Sequence, residues 1–199
     1  SRGLGDVYKR QITTVYSGMR KGEVMALKWE NVDMNEKRIF VKNSLCRIVD
    51  DKVDEQGHRH ARYAIMEPKT KKSVRMIPML DEVYEALLEQ KRRQDLDKEK
   101  YKDIYQDQGF VFADCTGSFL AQRPFMNKYH KFLKKYNIQD IRFHDLRHTF
   151  ASLLIEQDVS MKVVQELLGH STITTSMDIY THISDKKKEE AMQLIRREK

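Results

Sequence analysis

Cysteine is scarce in this chain. There are two among 199 residues, Cys46 and Cys115, far apart and in no CxxC pair. That excludes a disulfide framework and a cysteine-based zinc site, and it fits a reducing cytoplasm. Long apolar runs are missing too. No stretch approaches the length of a membrane-spanning helix, and no secretory signal pattern opens the chain, so no membrane partner is expected. There is no internal repeat. What the chain has in quantity is charge. Hydrophobic residues make up 40% and charged residues 34%, with a net charge of +7 and an isoelectric point near 9.3. This is the composition of a soluble globular domain, long enough to bury a sizeable core. Its basic surface suits an anionic partner, most often nucleic acid, although a lysine-rich solvated surface would give the same numbers.

The first eleven residues, Ser1 to Gln11, have no clear helical or strand period and read as an artificial or assembly-derived leader. From residue 12 to 199 the chain reads as one domain. Ile12 to Ser17 looks like the end of a helix, closed by Gly18 as a left-handed cap. Arg20 stands between two glycines, ahead of a short helix from Gly22 to Lys28 with Glu23 in its first turn, where a carboxylate suits the helix dipole. Strand patterns occupy Arg38 to Leu45, Arg62 to Glu67 and Ser73 to Met79, with an exposed loop expected from Asp50 to His60. Lys69, Lys71, Lys72 and Arg75 crowd a hairpin tip. Such a tip is either a solvated turn or a finger that reaches a phosphate backbone.

Asp81 is a candidate cap for a helix with Val83, Tyr84, Leu87 and Leu88 inward. The stretch from Lys91 to Gln108 is almost wholly polar and receives no function. Pro124 fits the first turn of a helix that buries Phe125, Tyr129, Phe132, Leu133 and Tyr136. The helix from His144 to Gln157 buries Leu146, Phe150, Leu153 and Leu154 and leaves His144, Arg147 and His148 off that face. Ser160 caps a helix with Val163, Val164, Leu167 and Leu168 inward, ended by Gly169. A further helix, begun near Ser171 or Thr172, carries Met177 and Tyr180. Ser184 to Lys199 forms a last charged helix.

Breaking a phosphodiester without a metal requires a nucleophile, and tyrosine can form a covalent phosphoryl link. It requires charge stabilisation, for which arginines suit because the guanidinium matches phosphate and stays charged. It also requires a proton donor for the leaving oxygen, a role open to lysine. Arg20, Lys69, His144, Arg147, His170 and Tyr180 together supply these groups. Arg20 and Tyr180 have plainer readings, as a surface arginine and a core tyrosine, and the neighbouring His148 has one as a histidine bonded within the fold. His144 and His148 are four apart on a helix, but no further ligand has metal-site spacing.

Five segments, SGMRKGE (17–23), PKTKKSVRMIP (68–78), HDLRHTFAS (144–152), LLGH (167–170) and MDIYTH (177–182), resemble in content and order the catalytic domain of the tyrosine recombinases, or phage integrase family. The resemblance covers most of the chain. It implies an α+β, mainly helical fold with a small antiparallel sheet on one edge, in an enzyme of mobile genetic elements that cleaves and rejoins DNA through a 3′-phosphotyrosyl intermediate, with no metal or high-energy cofactor. It implies Arg20, His144, Arg147 and His170 on the phosphate, Lys69 as the acid for the leaving 5′-oxygen, and Tyr180 as nucleophile. Glu23 and His148 would be supporting residues, and Lys71, Lys72 and Arg75 DNA contacts. The partners implied are double-stranded DNA at the nucleoid, a homo-tetramer on that DNA, and accessory DNA-bending or directionality proteins. Family members usually carry a DNA-clamping domain ahead of this one, which is absent from the sequence, so an N-terminally truncated catalytic domain is expected. Two alternatives use the same residues: a DNA-binding fragment that does no chemistry, and a topoisomerase-like enzyme that nicks and reseals without exchanging strands.

Overall fold

The chain places polar residues where a helix would ordinarily bury apolar ones, and this governs its first element. The computed structural model describes residues 2–54, 56–57, 59–68 and 73–169. Helix α1 spans Arg2–Ser17. Its buried positions include Val7, Arg10, Thr14 and Ser17, at three- and four-residue spacing, and all but the first are polar. The absence of a period expected for the first eleven residues therefore gives way to a helix. A hydrophobic count misses it because the inner face bonds internally: Thr13 and Thr14 donate to the carbonyls of Lys9 and Arg10 at 2.8 and 2.7 Å, and Ser17 to that of Thr13. Arg10 is buried between the rings of Phe112 and Phe125, 5.0 and 5.2 Å away, and donates to the Phe112 carbonyl.

The remaining described α-helices are α2 (Lys21–Met25), α3 (Asp81–Lys100), α4 (Gln122–Lys135), α5 (Asp145–Glu156) and α6 (Met161–Leu168). Strands β1 (Val32–Asp33), β2 (Arg38–Val41) and β5 (Arg75–Pro78) form an antiparallel sheet in the order β1-β2-β5. Strands β3 (Ser44–Val53) and β4 (Arg59–Met66) form a separate antiparallel ribbon. The class is α+β and mainly helical, as expected, with two small sheets where one was anticipated. The expected loop from Asp50 to His60 is largely strand, because Val53 still pairs with Arg59 across the ribbon.

Three apolar clusters hold these elements together. Met19, Val24, Leu27, Ile39, Ile77, Val83, Leu87 and Phe112 join the sheet to α2 and α3. Val7, Met25, Leu45, Phe125, Tyr129, Phe143 and Leu146 join α1 to α4 and the start of α5. Phe150, Ala151, Val164 and Leu168 join α5 to α6. The polar second half of α3 also contributes. Gln90 and Gln94 are buried and donate to the carbonyls of Val111 and Phe110 at 3.0 and 2.7 Å, and Trp29 donates its indole N–H to Gln94 at 2.6 Å. Asp81 does not cap α3, since Leu80 holds that position without a side-chain bond; Asp81 pairs with Lys37 at 2.6 Å. Tyr136, Leu153 and Val163, expected inside, are exposed. On α5 the inner stripe runs through Leu146, Arg147, Phe150 and Ala151, so Arg147 shares the buried face from which it was expected to be absent.

Candidate active site

Helix α6 ends at Gly169, whose φ of 65° is open to glycine at little cost. The last carbonyls of a helix have no partner further along the helix and carry the negative end of its dipole. Here three successive carbonyls are each taken by a different arginine. Arg75, from β5, donates Nε to the Leu167 oxygen at 2.6 Å. Arg147, from α5, donates Nη2 to the Leu168 oxygen at 2.6 Å. Arg20, at the N-terminal cap of α2, donates Nη2 to the Gly169 oxygen at 3.2 Å. Arg147 turns its other arm, Nη1, to the carbonyl of Gly18. Gly18 has φ 62°, and a Cβ there would press into the Phe150 ring and lie 2.9 Å from Leu168 Cδ2. The joint between α1 and α2 thus fits tightly against α5 and α6.

One carboxylate sits among these cations. Glu23 is buried and accepts from Arg20 N and Nη1 at 2.7 and 2.8 Å, and from Arg75 Nη1 and Nη2 at 3.2 and 2.9 Å. Burial pushes the Glu23 carboxyl up, but the hydrogen bond and charge of Arg75, joined by those of Arg20, outweigh it and hold the group at about 2. Burial, then the charge of Arg20, lowers the Arg147 guanidinium to about 9, with Glu23 opposing and Arg75 adding to the shift. Against one carboxylate the three arginines leave a positive excess at the end of α6.

Exposure divides the three arginines. The Arg20 side chain is 37% exposed, whereas Arg147 is 3% exposed and the Arg75 side chain 5%. A guanidinium carries five N–H donors, so Arg20, with one hydrogen bond from each Nη to protein, retains donors on its open side. His144 occupies the N-terminal cap of α5 and is exposed, its ring 5.0 Å from that of His148 and nearly perpendicular. Partial burial, then the fields of His148 and Arg147, lower the His144 pKa, with Asp145 opposing and Arg20 adding to the shift. His144 is therefore a neutral imidazole at pH 7, able to donate from one nitrogen and accept at the other. Among the described residues, no group of three or more His, Cys, Asp or Glu is placed to hold a metal ion.

The described residues thus bring Arg20, Glu23 and Arg147 together, with His144 in their field and His148 beside it. Lys69, Lys71, Lys72, His170 and Tyr180 lie outside the described residues. Arg75 requires a correction. It was expected at the basic hairpin tip as a DNA contact, but it is buried and its guanidinium is taken up by Glu23, Leu167 and Ser73. The sequence held the signal. Arg75, Ile77 and Met79 alternate with Met76, Pro78 and Leu80, and in the strand the first set points inward.

The phage integrase family model matches residues 11–187 of the chain. A tyrosine recombinase XerC-like protein of Caldanaerobacter subterraneus subsp. tengcongensis is 33% identical over 182 residues, which cover 90% of this chain and 46% of that protein. The integrase of Staphylococcus phage L54a is 30% identical, with 89% of this chain and 48% of that protein covered. The chain spans about half the length of these relatives. Among solved structures, the Tn1549 transposon integrase in complex with circular intermediate DNA superposes with a TM-score of 0.71 at 26% identity, covering 94% of this chain and 59% of that one. The XerA recombinase has the same fold, with a TM-score of 0.65 at 24% identity over 96% of this chain and 57% of that one.

Proposed function

The chain belongs to the phage integrase family of tyrosine recombinases, and on that basis we propose that it cleaves and rejoins double-stranded DNA at specific sites. The observation that carries this is the seating of Arg20 and Arg147 on adjacent carbonyls at the end of α6. Two guanidiniums that start far apart in sequence are held on neighbouring carbonyls by the protein itself, which is what electrostatic stabilisation of a phosphoryl transition state requires.

The reaction runs as two balanced exchanges. Tyr180 gives its phenolic proton to a histidine of the site as its Oη attacks the scissile phosphorus, and a 3′-phosphotyrosyl bond forms. The bond to the 5′-oxygen breaks, and Lys69 gives that oxygen a proton. The 5′-hydroxyl of a partner strand then attacks the phosphotyrosine, a new phosphodiester forms, and Tyr180 recovers its proton. Each step makes one phosphorus–oxygen bond and breaks one, so no high-energy cofactor is consumed. Arg20 and Arg147 neutralise the non-bridging oxygens, and His144 and His170 bond them or pass protons. Glu23 and His148 support these groups, and Lys71 and Lys72 meet the DNA backbone. Strand exchange calls for a homo-tetramer on DNA, with accessory DNA-bending or directionality proteins, at the nucleoid.

A trapping assay tests this. A pool of random duplexes, each nicked near a presumptive cleavage point so that the cut strand diffuses away, is incubated with the protein and run on a denaturing gel. A covalent adduct that disappears in Tyr180→Phe is expected. An adduct that persists in Tyr180→Phe removes Tyr180 as the nucleophile, and salt-sensitive binding with no adduct in any variant turns the reading to a binding module.

A further inference from the structure

Arg75 has an unusual set of partners. It touches both oxygens of Glu23, the Leu167 carbonyl at the end of α6, and the Ser73 carbonyl two residues before it. Each partner belongs to a different part of the site. Glu23 holds Arg20 through two hydrogen bonds. Leu167 lies two residues before Gly169, whose carbonyl also receives Arg20 and which precedes His170 in the sequence. Ser73 follows the segment that carries Lys69, Lys71 and Lys72. The fit is close, because a Cβ on Gly169 would stand 3.0 Å from Arg75 Cδ and Nη1. With a side chain 5% exposed, Arg75 is spent on protein, whereas Arg20 keeps an open side.

We infer that Arg75 is a positioning residue for DNA cleavage: without touching phosphate, it locks Glu23, the end of α6 and the residue that follows the lysine-bearing segment into one arrangement, and so sets where Arg20 presents its free donors. The inference rests on the recombinase reading above. It follows from fork geometry. A guanidinium donates in several directions within one rigid plane, which suits three acceptors spread around it, whereas a lysine ammonium gathers its donors at a single point. Small displacements matter here, since an error of about 1 Å in a catalytic group can cost on the order of 100-fold in rate.

Arg75 also keeps Glu23 ionised. The charged groups acting on that carboxyl are Arg20 at the cap of α2, Arg75 from β5, and Arg147 from α5. Removing Arg75 leaves burial less opposed, so the carboxyl rises. Glu23 then takes a proton as pH falls through its new value and releases Arg20.

The test compares wild type, Arg75→Gln and Arg75→Lys in two assays. The first measures single-turnover adduct formation on nicked duplex from pH 5 to 9, alongside DNA affinity against salt. The second titrates inorganic phosphate while following the guanidinium NMR signals of Arg20 and Arg147. For Arg75→Gln the adduct rate is expected to fall about tenfold or more, with a new acid limb and a weakened phosphate response at Arg20. DNA affinity and its salt slope are expected to stay unchanged. Arg75→Lys, whose ammonium reaches fewer of the acceptors, is expected to fall between the two, and it carries the test if Arg75→Gln does not fold. A salt slope reduced by about one phosphate contact overturns the inference in favour of direct DNA contact. Normal rates per folded molecule at every pH, with only a lower melting temperature, overturn it in favour of a purely structural role. A wild type that forms no adduct and shows no phosphate response overturns the recombinase reading, and this inference falls with it.

Discussion

Arg147 of α5 donates to the backbone carbonyl of Gly18, 129 positions earlier in the chain. Gly18 is two residues from Arg20, so the segment that presents one arginine is also the receptor for the other. The contact brings the end of α1 close against the Phe150 and Leu168 side chains, and Gly18 lets it happen by having no Cβ and a φ of 62°.

Gly18→Ala should therefore damage the fold and the site together. The methyl would meet Phe150 and Leu168, and the backbone would be held in the left-handed region. Left-handed strain and overpacking together are expected to cost about 3 kcal/mol. In a chain of this size that lowers the melting temperature by roughly 6–12 °C. Thermal unfolding followed by circular dichroism measures it, and an unchanged midpoint would contradict the packing described.

Arg147→Lys should be far from conservative. A single ammonium cannot fork onto Gly18 and Leu168 at once, so one buried carbonyl loses its donor. A stability loss of about 1–3 kcal/mol is expected in urea unfolding. Adduct formation should fall by about 100- to 1,000-fold. Arg147→Ala should lose at least as much, and cleavage of a nicked substrate at the normal rate would remove Arg147 from the catalytic groups.

The Glu23 carboxyl lies at about 2 in the folded chain against an ordinary 4.5. A depressed carboxyl adds stability that is fully present above the ordinary value and is lost as pH falls toward the folded one. The contribution is on the order of 3 kcal/mol near neutrality. Glu23→Gln should thus be less stable than wild type at pH 7, and the gap should narrow between pH 4.5 and 2. Urea unfolding at pH 7, 4 and 3 tests this, and a gap that stays constant as acid is added would show that Glu23 is not held by its cations.

DNA affinity should fall steeply with salt, because lysine and arginine contacts release counterions. For six or more neutralised phosphates the loss is about 1,000-fold or greater between 50 and 200 mM salt. Fluorescence anisotropy with a labelled duplex measures the slope. A flat line would argue against a phosphate-backbone partner.

Much of this molecule is legible in its sequence, and the reasons it succeeds and fails are local. Gly18 and Gly169 mark helix ends because left-handed caps favour glycine, and both adopt positive φ. The apolar residues of α4, from Phe125 to Leu133, fall inside because their spacing follows the helix. Polar burial is what escapes notice. The inner face of α1 is made of Thr13, Thr14 and Ser17, whose hydroxyls bond back to their own helix. Gln90 and Gln94 look like solvated surface until their carbonyl partners in Val111 and Phe110 arrive from a distant loop. The site residues follow the same division. The family resemblance singles out Arg20 and Arg147, while Arg75 is mistaken for a surface cation because its counter-ion, Glu23, lies 52 positions away.

The three carbonyls at the end of α6 work like the keystone of an arch. Each of the segments around Arg20, Arg75 and Arg147 leans on that one short stretch of backbone, and none is braced by its own neighbours alone. Chimaeras between this chain and its relatives will therefore tolerate seams elsewhere better than a seam that separates residues 167–169 from any of the three arginines. In evolutionary terms these four segments can drift only as a set.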